Sequence, residues 1–425
     1  MLRIIGGMVA LGVLGVIAYG LFAWLWGVPS VEDRPTLTDA KAIAEGKYLA
    51  AAGDCVSCHT VEDGGQRFAG GRPFDTPFGR LYSTNITPDP KTGIGGMTSA
   101  EFYQLIAYGA DSVWDPLYPA MPYTSFHLFD RDQSDRLHAY FMSLEPVERP
   151  ATPNALTFPF SIRPLMFGWN LLFASRAPFE AQAGKDAVWN RGAFLVKGPG
   201  HCGECHTPRN LLGAMEGGEA ALSGAVIGGM EAPDLRPQAL AARGWTRADL
   251  ATYFETGAGP QGSAFGEMFL AVKNSLRLLT HDDRVAIASY LMDTTADAPT
   301  KGQKAVAAMG DAAHPNKAGQ SLYLTHCGLC HGPQGQGMAN TMPALKGNAT
   351  LAQPDGRNLV QVIADGVKPE TMSQTAGYGP MPGYRDRLSA AQITELANYL
   401  RSDFAPGGAD LAPLTEEAVQ QILQP

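Results

Sequence analysis

The string Cys55-Val-Ser-Cys58-His59 recurs in the chain as Cys202-Gly-Glu-Cys205-His206 and as Cys327-Gly-Leu-Cys330-His331. These three strings use all six cysteines of the 425 residues, so no thiol remains for a disulfide, a zinc site or a nucleophile. C-x-x-C-H is the attachment motif of c-type heme, in which two thiols bond to the vinyl groups and the adjacent histidine binds iron. We therefore predict three covalently bound hemes c, with the motif histidines as proximal ligands.

Each iron needs a sixth ligand unless it keeps an open site, and methionine or histidine is expected for electron transfer. Met121 and Met268 each lie 62 residues after the preceding motif histidine, and Met381 lies 50 residues after His331. Each methionine precedes a helical pattern that contains a tyrosine, over residues 132–144, 281–292 and 389–402. This parallel layout predicts Met121, Met268 and Met381 as the axial ligands. Methionines also fill apolar cores, and Met230 is the main alternative for the second iron.

A glycine with aromatic or aliphatic neighbours lies shortly before each first cysteine, at Gly46, Gly192 and Gly319. In cytochrome c domains an opening helix crosses the closing helix, and glycine lets the two backbones approach closely. We therefore predict a mainly α-helical chain with three tandem cytochrome c domains, over residues 38–145, 184–295 and 314–405. Residues 296–313 are predicted to form a linker, and residues 406–425 a tail that is loosely ordered or wraps a partner.

Residues 146–183 form a Pro-rich, apolar connector between the first two predicted domains. Its central part, Phe158–Phe173, contains many large apolar side chains and almost no charge. One interpretation is packing between the two heme domains, and another is a surface that lies on the membrane or against a partner.

Residues 4–28 contain no charged side chain and would be about 37 Å long as a helix, enough to cross a bilayer core of about 30 Å. Arg3 precedes this run, and Trp24 and Trp26 lie at its far end. We therefore predict a transmembrane anchor within residues 1–30, with the heme domains on the periplasmic side of the cytoplasmic membrane. A cleaved signal peptide is the alternative, although its apolar region is usually shorter.

Composition excludes several other functions. The net charge is −9 and only 17% of residues are charged, which argues against nucleic acid as the main partner because phosphate contacts need clustered Lys and Arg. The sequence contains no nucleophile motif, dinucleotide fingerprint or phosphate loop. We therefore expect no substrate chemistry in this chain and place it in a separate catalytic subunit.

The chain resembles a known family at four strings: Asp54-Cys-Val-Ser-Cys-His-Thr60, Tyr82-Ser-Thr-Asn-Ile-Thr-Pro-Asp-Pro90, Tyr118-Pro-Ala-Met-Pro-Tyr123 and Gly168-Trp-Asn-Leu-Leu-Phe173. They resemble the triheme cytochrome c subunit of bacterial membrane-bound periplasmic dehydrogenases, and the resemblance covers nearly all of residues 38–405. It implies electron transfer from a catalytic subunit with molybdopterin, pyrroloquinoline quinone or flavin to membrane ubiquinone, and we take the apolar stretch Phe158–Phe173 as the candidate quinone site. We expect the aldehyde dehydrogenase type, with a molybdopterin subunit and a small iron–sulfur subunit; the alcohol and gluconate types are the alternatives.

Two other classes of function are compatible with the sequence. A multiheme enzyme such as a peroxidase requires one iron with an open site, so one of the three proposed methionines would not be a ligand. A heme subunit of a terminal oxidase requires a copper–heme partner instead of a dehydrogenase. The identity of the copurifying large subunit separates these classes.

Overall fold

The chain is mainly α-helical, as predicted. The computed structural model describes residues 12–18, 20–21, 27–61, 64–110, 115–294, 316–339, 341–372, 377–406 and 411–424. Within these residues the strands are short and form small antiparallel sheets. The residues group into two units: the first unit comprises Met1–Ala50 and Cys58–Phe179, and the second unit comprises Ala51–Ser57 and Glu180–Pro425.

The described residues before position 180 form helices around an aromatic core. The helices are α1 Ala40–Ala52, α2 Cys55–Cys58, α3 Ser99–Tyr108, α4 Tyr123–Phe126, α5 Arg131–Met142 and α6 Leu165–Phe173. Strands β1 Pro73–Thr76, β2 Gly79–Tyr82 and β3 Ala155–Leu156 form one antiparallel sheet in that order. Phe141 on α5 lies at the centre of the core, with its ring 5.4 Å from that of Phe68 and 6.1 Å from that of Phe102.

The described residues after position 180 are also mainly helical. The helices are α7 Ala187–Lys197, α8 Gly203–His206, α9 Pro237–Ala242, α10 Arg247–Thr256, α11 Gly266–Asn274, α12 His281–Leu291, α13 Lys317–His326, α14 Gly328–His331, α15 Arg357–Asp365, α16 Ala390–Phe404 and α17 Glu416–Leu423. Two hairpins are β4 Ala225–Ile227 with β5 Met230–Ala232, and β6 Ala258–Gly259 with β7 Gly262–Ser263.

The three predicted closing helices are confirmed as α5, α12 and α16. Each begins where a side chain caps the free backbone N–H groups of its first turn. Asp130 and Ser389 form capping boxes with Gln133 and Gln392, and Thr280 accepts a hydrogen bond from the Asp283 N–H. These local caps therefore fix the first residue of each closing helix, close to where the sequence pattern predicts it.

The same helix crossing occurs three times, between α1 and α5, between α7 and α12, and between α13 and α16. At each crossing the opening helix presents its glycine to the closing helix: Gly46, Gly192 and Gly319. An added Cβ would overlap a backbone oxygen of the closing helix, that of Arg136, Ala286 or Glu395, and would press on the tyrosine four residues later, Tyr140, Tyr290 or Tyr399. Only glycine permits this approach, and the predicted role of these glycines is confirmed.

The tail is more ordered than the sequence suggests, and the connector contains regular elements. Part of the predicted tail forms α17, whose Val419 and Ile422 are buried in the core around Tyr323 and Tyr399. This segment packs on the chain itself because its two apolar side chains complete that core. The connector over residues 146–183 contains β3 and α6.

The predicted anchor falls largely outside the described residues. Of residues 4–28, positions 12–18 and 20–21 are helical, and 27–28 have no regular structure. Among the described residues, no helix has the length and apolar character needed to cross a membrane. The predicted linker over residues 296–313 also lies outside the described residues, and the predicted domain limits stay predictions.

The helix crossing gives a direct test. Replacing Gly192→Ala forces a methyl group into the backbone of Ala286, and overpacking of this kind costs about 1–3 kcal/mol of the free energy of unfolding. The thermal unfolding midpoint should fall. Gly168→Ala on α6 is the matched control, because its Cβ has no neighbour within 4 Å and alanine favours a helix by about 1 kcal/mol. An unchanged midpoint for Gly192→Ala would contradict the crossing.

Candidate heme sites

The three motif histidines are oriented in the same way. Each is buried, and its Nδ1 donates a hydrogen bond to a backbone carbonyl oxygen: His59 to Thr84 at 2.7 Å, His206 to Pro233 at 2.7 Å and His331 to Pro343 at 2.9 Å. This bond fixes the tautomer and the ring, so that Nε2 keeps its lone pair for a metal. Burial also lowers the pKa of all three imidazoles, that of His206 to about 4, which favours the neutral form that a metal binds.

A glycine holds the backbone of each motif histidine. The N–H groups of Gly70, Gly224 and Gly337 donate to the carbonyl oxygens of His59, His206 and His331, at 2.8, 2.8 and 2.7 Å. All three glycines have positive φ, which other residues rarely adopt. Gly70 and Gly337 also lie close to the acceptor residues. A Cβ at Gly70 would overlap the Thr84 carbonyl, and one at Gly337 would lie 2.8 Å from the Pro343 carbonyl carbon.

A third hydrogen bond, again within the backbone, completes each site. The N–H groups of Ile86, Leu235 and Leu345 donate to the carbonyl oxygens of Phe68, Leu222 and Gly335, at 2.9, 2.8 and 2.8 Å. These acceptors all have positive φ, between 60° and 70°. The three sites therefore share one set of backbone bonds, which we call the histidine cage, although the loops that build it differ in length.

The carbonyl acceptors of this cage were not predicted from the sequence. In each site an aliphatic residue follows two positions after the acceptor: Thr84-Asn-Ile86, Pro233-Asp-Leu235 and Pro343-Ala-Leu345. That short pattern is the available signal, but the interval from the motif histidine varies from site to site. In the first site side chains also fix the loop, because Asn85 donates to the Val147 carbonyl at 2.7 Å and accepts from the Thr87 N–H at 2.9 Å.

The cysteines lie on short helical turns next to the histidines. Burial raises the pKa of Cys202 to about 12 and the pKa of Cys327 to about 11. Such thiols are poor thiolate nucleophiles in the folded protein. This fits a role as thioether attachment points, in which the sulfur carries no charge.

The three predicted methionines are each half-buried and held by backbone bonds. The Met121 N–H donates to the Tyr118 carbonyl at 3.1 Å, and the Met121 carbonyl accepts from the Tyr123 N–H at 2.8 Å. Met268 lies in the first turn of α11. Met381 exchanges two backbone bonds with Val367, at 2.9 and 3.0 Å. Met121 belongs to the same unit as His59, and the other two belong to the unit of His206 and His331.

The Met121 loop is supported by the connector helix α6. Tyr123 is almost fully buried, and its hydroxyl donates to Asn170 Oδ1 on α6 at 2.6 Å. The ring of Trp169 packs edge-on against the Tyr123 ring, with 6.5 Å between centroids. The connector therefore packs on the loop of the first site through Asn170 and Trp169.

Attachment turns with histidines oriented for metal binding through Nε2 define a c-type cytochrome. Residues 316–403 match the family model described as cytochrome c. The chain is 36% identical to the cytochrome c subunit of alcohol dehydrogenase (quinone) from Gluconacetobacter polyoxogenes, over 89% of this chain and 84% of that protein. It is 34% identical to the gluconate 2-dehydrogenase cytochrome c subunit from Pantoea cypripedii, over 90% of this chain and 91% of that protein.

A third relative is longer. The chain is 39% identical to a nicotinate dehydrogenase subunit from Pseudomonas putida, over 91% of this chain, but it spans only 32% of that protein. Together these similarities show that the chain belongs to the family of dehydrogenase cytochrome c subunits. It is an electron-transfer protein that binds heme c covalently.

The histidine cage gives a second test. Gly70→Ala should displace the Thr84 carbonyl and weaken its bond to His59 Nδ1, because the added Cβ overlaps that carbonyl. A weaker bond makes the imidazole a poorer electron donor, so the potential of one heme should rise, or that heme should be lost. Redox titration and the heme-to-chain ratio measure this. Gly217→Ala is the control, since its Cβ meets no atom within 4 Å, and it should change neither quantity. Unchanged values for Gly70→Ala would argue against the cage.

Proposed function

We propose that this chain carries electrons through three hemes c from the catalytic subunit of a dehydrogenase complex to membrane ubiquinone. The observation that carries the proposal is the histidine cage, which surrounds His59, His206 and His331 with the same three hydrogen bonds, one from the ring and two within the backbone. Three such sites, each beside a C-x-x-C-H turn, support three heme domains on one chain. The catalytic partner supplies the substrate chemistry.

In this proposal Cys55 and Cys58, Cys202 and Cys205, and Cys327 and Cys330 attach the hemes. Heme c supplies reversible one-electron exchange between ferric and ferrous iron. The motif histidines would hold the iron through Nε2, and Met121, Met268 and Met381 would hold it through their sulfur atoms. Methionine opposite histidine raises the potential, which suits passage toward a quinone, and a filled sixth position excludes substrate from the iron.

The placement of the alternative methionine favours Met268 in the second site. Met230 lies on β5, the strand that leads to Pro233, whose carbonyl binds His206 Nδ1. Met230 therefore precedes the carbonyl on the Nδ1 side of the His206 ring. A residue that shares an iron with His206 must lie on the Nε2 side of that ring. Met268 lies on α11, a different element, and is half-buried.

An apolar surface on the first unit supports the membrane part of the proposal. One face of α6 packs inward through Phe167 and Asn170, and the other leaves Leu165 and Leu172 49% and 72% exposed. Phe158, which precedes α6, is 81% exposed. Apolar side chains exposed together in this way are typical of surfaces that contact a membrane or a ligand. We assign this surface to the bilayer and to the entry of ubiquinone.

The same surface is tied to the end of the predicted anchor. The Arg176 guanidinium, just after α6, donates to the Gly27 carbonyl oxygen at 3.3 Å. The Gln104 amide of α3 donates to the Pro29 carbonyl oxygen at 2.8 Å. Residues 27–29 lie at the end of the uncharged run, so a chain that leaves the bilayer there starts next to α6. This supports an anchor in the cytoplasmic membrane with the hemes on the periplasmic side.

The catalytic partner is a dehydrogenase subunit with molybdopterin, pyrroloquinoline quinone or flavin. We propose the aldehyde dehydrogenase type, with a small iron–sulfur subunit, while the relatives are subunits of alcohol, gluconate and nicotinate dehydrogenases. The cofactor and substrate of the large subunit that copurifies with this chain decide between these types. A copper–heme partner would contradict the proposal.

Replacing the axial methionines tests the ligand assignment. Met268→Ala should remove the methionine-to-iron charge-transfer absorbance of one heme in the oxidised protein and lower its potential, because the thioether raises it. Met121→Ala and Met381→Ala should each do the same for another heme. Met230→Ala is the matched control and should change neither spectrum nor potential. If Met230→Ala gives the loss instead, the second ligand is Met230.

Polar substitutions on α6 test the quinone site. Leu165→Asn with Leu172→Asn should reduce ubiquinone reduction by the intact complex while leaving substrate-driven reduction of a soluble acceptor intact, because only the quinone route uses the apolar surface. Leu211→Asn is the control, as Leu211 is 98% exposed in the second unit. Unaltered ubiquinone reduction in the double variant would rule out this surface as the site.

A further inference from the structure

The segment that carries the first cysteine contacts the segment that carries the third. Residues Ala51–Ser57 belong to the second unit, together with His201 and Cys202. His201 Nε2 lies 3.3 Å from the Gly53 carbonyl oxygen and donates a long hydrogen bond to it. Because a carbonyl oxygen can only accept, Nε2 carries the N–H of this bond, and burial lowers the pKa of His201, which favours the neutral ring.

Two further bonds hold the same segment from another element. Asn274, the last residue of α11, donates from Nδ2 to Ser57 Oγ at 2.8 Å. Ser57 Oγ in turn donates to Asp54 Oδ1 at 2.6 Å. The Ser275 hydroxyl lies 3.5 Å from the Ala52 carbonyl oxygen and donates to it. Residues Ala51–Ser57 are thus held by His201, the residue before Cys202, and by the end of α11, the helix that carries Met268.

The backbone on both sides of this contact has an uncommon conformation. Asp54 has φ 47° and His201 has φ 34°, a region that costs energy for residues other than glycine. Each directly precedes the first cysteine of its motif. In the third motif Cys327 follows directly on the end of α13, where His326 has an ordinary helical conformation. The positive-φ residue therefore occurs directly before the first and second motifs, whose segments contact each other, and not before the third.

We propose that the contact between Gly53 and His201 is the route for electron exchange between the first and second hemes, with His201 as its positioning residue. This rests on the proposed function, in which both motifs carry heme. The bonded path runs from Cys55 through Asp54 to the Gly53 carbonyl, across the hydrogen bond to the His201 ring, and on to Cys202.

The exchange is a one-electron step that makes and breaks no covalent bond. One ferrous heme iron is oxidised to ferric, the other ferric iron is reduced to ferrous, and no proton is transferred. The reduced cofactor of the dehydrogenase supplies the electron and ubiquinone removes it. Electron transfer between cofactors slows steeply with distance and through gaps, so a fixed contact between the two attachment segments keeps the path short.

The test measures this exchange in the purified full-length chain with its hemes attached. Met121→His marks the first heme, because a second histidine removes its methionine absorbance and lowers its potential. A flash-generated flavin radical then reduces the hemes, and the electron on the first heme passes to the second. In this background His201→Phe should slow the exchange at least several-fold, with unchanged heme content, heme potentials and thermal unfolding midpoint. His201→Gln keeps a side-chain N–H and should recover part of the rate.

His281→Phe is the matched control, because His281 is exposed at the start of α12, and it should leave the rate unchanged. The inference is overturned if His201→Phe leaves the rate unchanged, or if a changed potential accounts for the slower rate. A purely structural role for His201 would lower the unfolding midpoint and leave the rate alone. Failure of the proposed function is seen separately, since the unmodified chain would then lack heme at the first or second motif.

Discussion

The hydrogen bond from each motif histidine to a backbone carbonyl is the interaction on which the rest of the structure depends. A histidine has two ring nitrogens, and it can bind iron reliably through one only if the other has a fixed partner. Thr84, Pro233 and Pro343 provide that partner as carbonyl acceptors. Because these acceptors are backbone groups, their position depends on the conformation of the loop that carries them. The two backbone bonds of each cage hold that loop in place.

Glycine is the residue that makes both the cage and the helix crossing feasible. Gly70, Gly224 and Gly337 place an N–H on the histidine carbonyl in a backbone region that other residues avoid. The crossing glycines let the opening and closing helices meet backbone to backbone. The two sets lie on either side of each attachment motif, so each heme site is defined by close backbone approach more than by large apolar contacts.

The sequence predicts the closing helices and the helix crossings, and the structure confirms both. The attachment motifs are explicit, and the closing helices follow from their capping residues and apolar periodicity, as Asp130 and Ser389 show. Gly192 and Tyr290 could be paired because a glycine and a tyrosine recur at corresponding places in each of the three predicted domains. Features that depend on tertiary contact could not be read in this way.

Such features include the carbonyl acceptors of the cage and the Tyr123–Asn170 bond. Another is the burial of Val419 in the core around Tyr323 and Tyr399. Each joins residues whose separation along the chain varies or has no internal repeat to reveal it. The Gly53–His201 contact has the same character, since 148 residues separate its partners. A repeated motif identifies equivalent sites within a chain, but it does not state which of these sites meet.

The central claim is that all three motifs form equivalent heme sites. The intact mass of the purified chain, measured after denaturation that removes non-covalent ligands, tests it most directly. We expect the mass of the polypeptide plus three hemes in a single species. A mature chain that carries two hemes or fewer, with free thiols at one of the three motifs, would contradict the claim.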